Sequence, residues 1–154
     1  MINQENIQEW LQKDSSLDLL NSLDSHLGHG RILNKDEIYE FMNLFPQFIY
    51  EGTGFRVLHN CHGESIKWDD SLANISWSTS KDFIPKFIRE YEKIKQVDEL
   101  FYQVYSAQIR GFNIIGFAKF LKQLAIAKDI YSILNTHGYE NEILVIEYSN
   151  LILE

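Results

Sequence analysis

The segment Gly138-Tyr139-Glu140-Asn141-Glu142-Ile143-Leu144-Val145-Ile146 constrains the fold of this chain more than any other. A turn-forming glycine leads into two carboxylates two residues apart, and then into a largely β-branched apolar run. In extended backbone, side chains two apart point the same way, so Glu140 and Glu142 share a face. The run Ile143 to Ile146 carries no polar alternation and reads as a strand buried on both faces. Charge at the mouth of such a strand is costly unless it is solvated or paired. The segment therefore calls for a sheet covered on both sides, and it marks the strand's entrance as a candidate site.

Residues 1 to 48 read as helical. Ile7, Trp10 and Leu11 make one apolar face at i, i+3, i+4. Asp14, Ser15 or Ser16 caps a second helix holding Leu17, Leu20, Leu23 and Leu27, which ends at Gly28 or Gly30. Asn34 caps a third, with Glu37 completing a capping box, Ile38, Phe41, Met42 and Phe45 on its apolar face, and Pro46 closing it. Phe55 to Leu58 then reads as a strand with Arg56 inside it, and His59 to Asp70 as a polar loop. Ile75 to Ser80 is a second strand-like segment. Ser80 or Asp82 caps a helix with Phe83, Phe87, Tyr91 and Ile94 on one side, and Pro85 fits only near its first turn. Leu100 to Ile109 alternates as a strand, and Gly111 and Asn113 mark a turn. A helical pattern fills Gly116 to Leu134, and Asn150 to Glu154 adds a last short strand. Helices first, then strands interleaved with helices, predict one α+β domain over 1–154: a helical cap over 1–48 and a mixed core over 49–154.

Composition bounds the function. The 154 residues suffice for one domain with a sizeable core, and aromatics are high at 14%, with some available to stack on a ligand. A net charge of −8 disfavours a general nucleic-acid binder, although a local basic patch is compatible with it. The single cysteine, Cys61, fits a reducing compartment. The polar start and the lack of a bilayer-length apolar run point to a cytoplasmic protein with no membrane partner. His26, His29, His59 and His62 have spacings that can hold a metal, but no second cysteine completes a sulfur site, and surface loops explain them better. No metal is expected.

Three pieces lie in order along the chain: Arg56 after Gly52-Thr53-Gly54-Phe55, the block Ser76-Trp77-Ser78-Thr79-Ser80 before a Phe-rich helix, and Glu140-Asn141-Glu142 opening an apolar strand. Each alone has an ordinary reading as edge charge, helix cap or solvated surface. Together they resemble the arginine–serine–glutamate signature of the ADP-ribosyltransferases, over about residues 50 to 148. Val57 stands where that family often has a glycine, and the stretch from Ser80 to Glu140 is longer than in compact members. Arg110 is the substitute candidate for Arg56, but it breaks the order.

The resemblance implies a split β-sheet core and a mono-ADP-ribosyltransferase using NAD as substrate. Breaking the nicotinamide–ribose bond builds oxocarbenium-like charge on the ribose, and a carboxylate against the sugar stabilises it there; Glu142 takes this role. Arg56 grips the pyrophosphate or a ribose with its fixed fork of donors. Ser78 hydrogen-bonds and orients Glu142, while Thr79 and Ser80 support the strand end or cap the helix. Core packing is the ordinary reading of Trp77, Phe83 and Phe87; under the resemblance, Phe83 or Phe87 stacks on the nicotinamide. Glu140 addresses the acceptor, most often an arginine side chain of a protein, and helps to take its proton. The partners implied are NAD, a macromolecular acceptor (a protein before a nucleic acid), and a host target or cognate antitoxin, as for a phage effector or an intracellular toxin. The alternatives are a binding or regulatory protein that keeps this fold without catalysis, and an NAD glycohydrolase with water as acceptor.

Overall fold

Local chemistry sets the helical cap. In a computed structural model, which describes residues 1–29, 33–63, 66, 68, 76–124 and 141–154 and only the backbone of 24–29, the chain opens with α1 (Ile7–Leu11), α2 (Asp14–His29) and α3 (Lys35–Leu44). Asn34 caps α3 with both halves of the expected capping box: its Oδ1 accepts the Glu37 N–H at 2.8 Å, and its own N–H donates to Glu37 Oε1 at 3.4 Å. Ile38, Phe41 and Met42 are buried, as the helical period requires. A 3-10 turn, Pro46–Phe48, hands the chain to the sheet.

The sheet is antiparallel and has four strands among the described residues: β1 (Ile49–Asn60), β2 (Ser76–Ser78), β3 (Phe101–Asn113) and β4 (Glu142–Leu153). Its order is β1-β2-β4-β3, and β3 pairs back onto β1, so the sheet, expected as split, closes into a barrel. The helix α4 (Ile84–Lys95) follows β2 through a 3-10 turn, Lys81–Phe83, and α5 (Ile114–Gln123) follows β3. The architecture is α+β.

Alternation along the strands sorts the core into an inside and two outsides. Trp77, Ala107, Ile109, Ile143 and Val145 fill the inner face, with Tyr50, Trp68 and Tyr148 packed on them. On the outer face at one end, α1, α2, α3 and α5 bury Phe112, Leu144 and Ile146. At the other end, α4 covers Val57, Val104 and Leu100 with Phe83, Ile84 and Ile88. The apolar run from Ile143 to Ile146 is buried residue by residue because both of its faces are covered. Much of the aromatic content is spent on seating the helical layer: Phe41 stacks on Phe112 at 5.3 Å, and Phe45 packs on Phe117 at 4.7 Å.

Several boundaries differ from the expectations. β1 starts at Ile49 and runs through Gly52 and Gly54, where a strand was expected only from Phe55. Gly54 is needed inside the strand, since a Cβ there would run into the Ile109 side chain, with Ile109 Cγ1 at 2.9 Å. Gly111, read as a turn, lies within β3, where the pairing shifts register between Arg110 and Gly111. Asn150 to Glu154 is no separate strand, because β4 continues through Asn150, which takes φ 56°. The end of the Gly116–Leu134 helix, Gly138 and Ile75 lie outside the described residues.

A Cβ on Gly111 would overlap the Leu144 carbonyl oxygen and lie 2.9 Å from Val145 Cα. Both are backbone and cannot swing aside. Gly111→Ala is therefore expected to lower stability by about 2 kcal/mol or more, read as a lower urea midpoint at unchanged slope.

Candidate functional site

The three motif-bearing strands are neighbours. β2 lies between β1 and β4, with Phe55 opposite Ser78 and Ser78 opposite Glu142, so Phe55, Ser78 and Glu142 form one row. Arg56 follows Phe55 and is half-buried, on the inner side with its cross-strand partner Tyr105. Asn141, just before β4, takes a left-handed φ of 47°, which an asparagine tolerates.

One residue joins the two charged groups. Ser76 Oγ donates to Glu142 Oε1 at 2.6 Å, and the Ser76 carbonyl accepts from Arg56 Nη1 at 2.5 Å. Burial pulls the Arg56 guanidinium below its ordinary value, and the charge of Glu142 pulls it partly back up. Arg56 Nε is enclosed with no hydrogen-bond partner among the described residues. Ser76 thus touches a carboxylate through its hydroxyl and a partly desolvated guanidinium through its carbonyl, with Glu142 on the outer face of the sheet and Arg56 on the inner.

The expected brace, Ser78, is placed otherwise. It is buried; its Oγ donates to the Ser80 carbonyl at 2.9 Å and accepts from the Ser80 N–H at 3.2 Å. Its one proton is spent on the turn that leaves β2, so it has none to give Glu142. The role passes to Ser76, diagonal to Glu142 and on the same face of β2 as Ser78. The signal was present in the alternation of Ser76, Trp77 and Ser78, but choosing between the two serines requires the register. Ser80 Oγ accepts the Asp82 N–H at 3.1 Å and caps the 3-10 turn, while Thr79 is half-buried beside it. Glu140 lies outside the described residues.

Phe83 and Phe87 are brought to α4 and not to the row. Phe83 is 8% exposed, within the cluster of Ile84, Ile88 and Leu100, which leaves little of its ring for a ligand. Phe87 is half-buried between Phe83 at 5.6 Å, Tyr91 at 4.7 Å and His59 at 5.9 Å. Arg110 is engaged elsewhere: its Nε meets Glu51 Oε1 at 2.9 Å. It stands opposite Glu147 in a cleft of about 480 Å3 also lined by Gln108 and Ser149, a cross-strand ladder of polar groups. Among the described residues, no three His, Cys, Asp or Glu side chains converge as a metal site needs, and no helix is long and apolar enough to cross a membrane.

No family model, curated protein or solved structure matches the chain.

His59 packs on Tyr91 at 4.4 Å, and burial first, then the charge of Lys95, lowers its pKa below the ordinary 6.5. The folded chain thus takes up the His59 proton at a lower pH than the unfolded chain does, so stability is lost as pH falls below about 6.5. Between pH 7.5 and 5.5 the urea midpoint is expected to fall by about 0.3 M more in the wild type than in His59→Phe. Equal slopes with pH in the two proteins would remove His59 from the balance.

Proposed function

We propose that the chain is a mono-ADP-ribosyltransferase that cleaves the nicotinamide–ribose bond of NAD and transfers ADP-ribose to a macromolecular acceptor, a protein arginine before others. The observation that carries this reading is the joining of Arg56 and Glu142 through Ser76 on three adjacent strands. It is supported by the order of the three motifs along the chain, which resembles that of the ADP-ribosyltransferases. The ADP-ribosyltransferase-like fold belongs to the same proposal.

In this chemistry the C–N bond between ribose and nicotinamide breaks, and nicotinamide leaves with the bonding pair. Positive charge grows on the ribose, where Glu142 is most useful if its carboxylate is already aimed and need not reorganise. The Ser76 hydroxyl does this by fixing one carboxylate oxygen. Arg56, bonded to the Ser76 carbonyl, adds a positive charge whose field reaches Glu142. The acceptor nitrogen then bonds to the ribose carbon and loses a proton, the task given to Glu140 by the resemblance.

The test is incubation with adenine-labelled NAD and a cell lysate. Label is expected on protein with the wild type, falling by roughly 100-fold or more with Glu142→Ala. Protease and nuclease treatment then identify the acceptor class. Nicotinamide release without transfer would make the chain an NAD glycohydrolase. Neither turnover nor NAD binding would leave a non-catalytic protein.

A further inference from the structure

An anionic dinucleotide needs a cation within reach, and Arg56 is poorly placed to supply all of it. Its Nη1 is bonded to the Ser76 carbonyl, and its Nε is enclosed. A guanidinium held in this way sets Glu142 but presents no open fork to a pyrophosphate. The row itself points to another cation. Lys81 follows Ser80 on the 3-10 turn, is exposed, and makes no ion pair among the described residues. Its ammonium stands 5.5 Å over the centre of the Phe55 ring, within cation–π range. Phe55 is opposite Ser78, and Ser78 is opposite Glu142. Two strand spacings, about 10 Å, therefore separate the backbone of Phe55 from that of Glu142. By alternation, Phe55, Ser78, Ser76 and Glu142 share a face of the sheet.

We infer that Lys81, positioned by the Phe55 ring, is the cation that receives the diphosphate of the ligand whose ribose faces Glu142; this rests on the dinucleotide reading above. The ammonium is a point charge with rotatable donors, which suits phosphate oxygens without demanding one geometry. The ring restrains the lysine stem, so that less freedom is lost on binding. The same contact keeps the charge at the site and away from the carboxylates of an acidic chain.

Calorimetric titration of ADP, with adenosine as the phosphate-free comparison, separates the possibilities. The wild type is expected to prefer ADP over adenosine by roughly tenfold or more. Lys81→Met should erase this preference while leaving adenosine affinity unchanged, and Lys81→Arg should keep most of it. Full preference for ADP in Lys81→Met would overturn the role of Lys81, as would a wild type that binds ADP and adenosine alike, and both results leave the dinucleotide reading standing on NAD binding. A wild type that binds neither ADP nor NAD would overturn both.

Discussion

Ser76 sits between two opposite charges, offering its hydroxyl to Glu142 and its carbonyl to Arg56. A half-buried guanidinium with one enclosed nitrogen is unfavourable unless a counter-charge offsets its lost hydration, and Glu142 is that charge. The pair in turn accounts for a strand that would otherwise be too short to persist. β2 has three residues, and it is held by backbone pairing to β1 and β4 and by the Ser76 side chain and carbonyl. Removing either charge leaves the other uncompensated and loosens the element that closes the barrel.

The packed layers position the strands that carry these two groups. The helical cap, through Phe41, Phe45 and Phe117, fixes the outer face of β3 and β4 at Phe112, Leu144 and Ile146. At the other end, α4 fixes β1 and β3 through Val57 and Val104, and Glu92 Oε2 accepts the Leu100 N–H at 3.0 Å where the chain returns to the sheet. Inside, Trp77 lies on the opposite face of β2 from Ser76 and Ser78 and anchors it among Ile109, Ile143 and Val145. A tryptophan between two serines thus serves both faces: packing within, chemistry without.

What was legible in the sequence follows the length scale of each interaction. The helices α1 and α3, and the cap at Asn34, depend on contacts within one turn, and period and capping chemistry described them; in α2 the period was misplaced at its start, where Leu17 is exposed, Leu19 is buried instead, and Asp14 already lies inside the helix. Strand existence was legible for the same reason, through alternation and β-branched runs. Strand extent was not: a strand was expected only from Phe55 and a turn at Gly111, yet Gly54 sits mid-strand against the Ile109 side chain, and Gly111 sits mid-strand where the β4 backbone comes too close for a side chain. That Arg56 and Glu142 both reach Ser76 depends on strand register and is not written in period or alternation. The hydroxyl expected at Glu142 was that of Ser78; the one placed there is that of Ser76, because the turn at Ser80 takes the Ser78 proton. Phe83 is buried by long-range packing with Leu100, the ordinary reading of an aromatic residue beside a hydroxyl block.

The measurement that bears most directly on Ser76 as the joint between the charges is a double-mutant cycle on the transfer rate, with Ser76→Ala, Glu142→Ala and both together. If the hydroxyl acts through the carboxylate, Ser76→Ala slows the wild type and costs nothing further once Glu142 is gone. Losses that multiply, so that the double variant is slower than Glu142→Ala by the full factor of Ser76→Ala, would contradict it and make Ser76 an independent contributor.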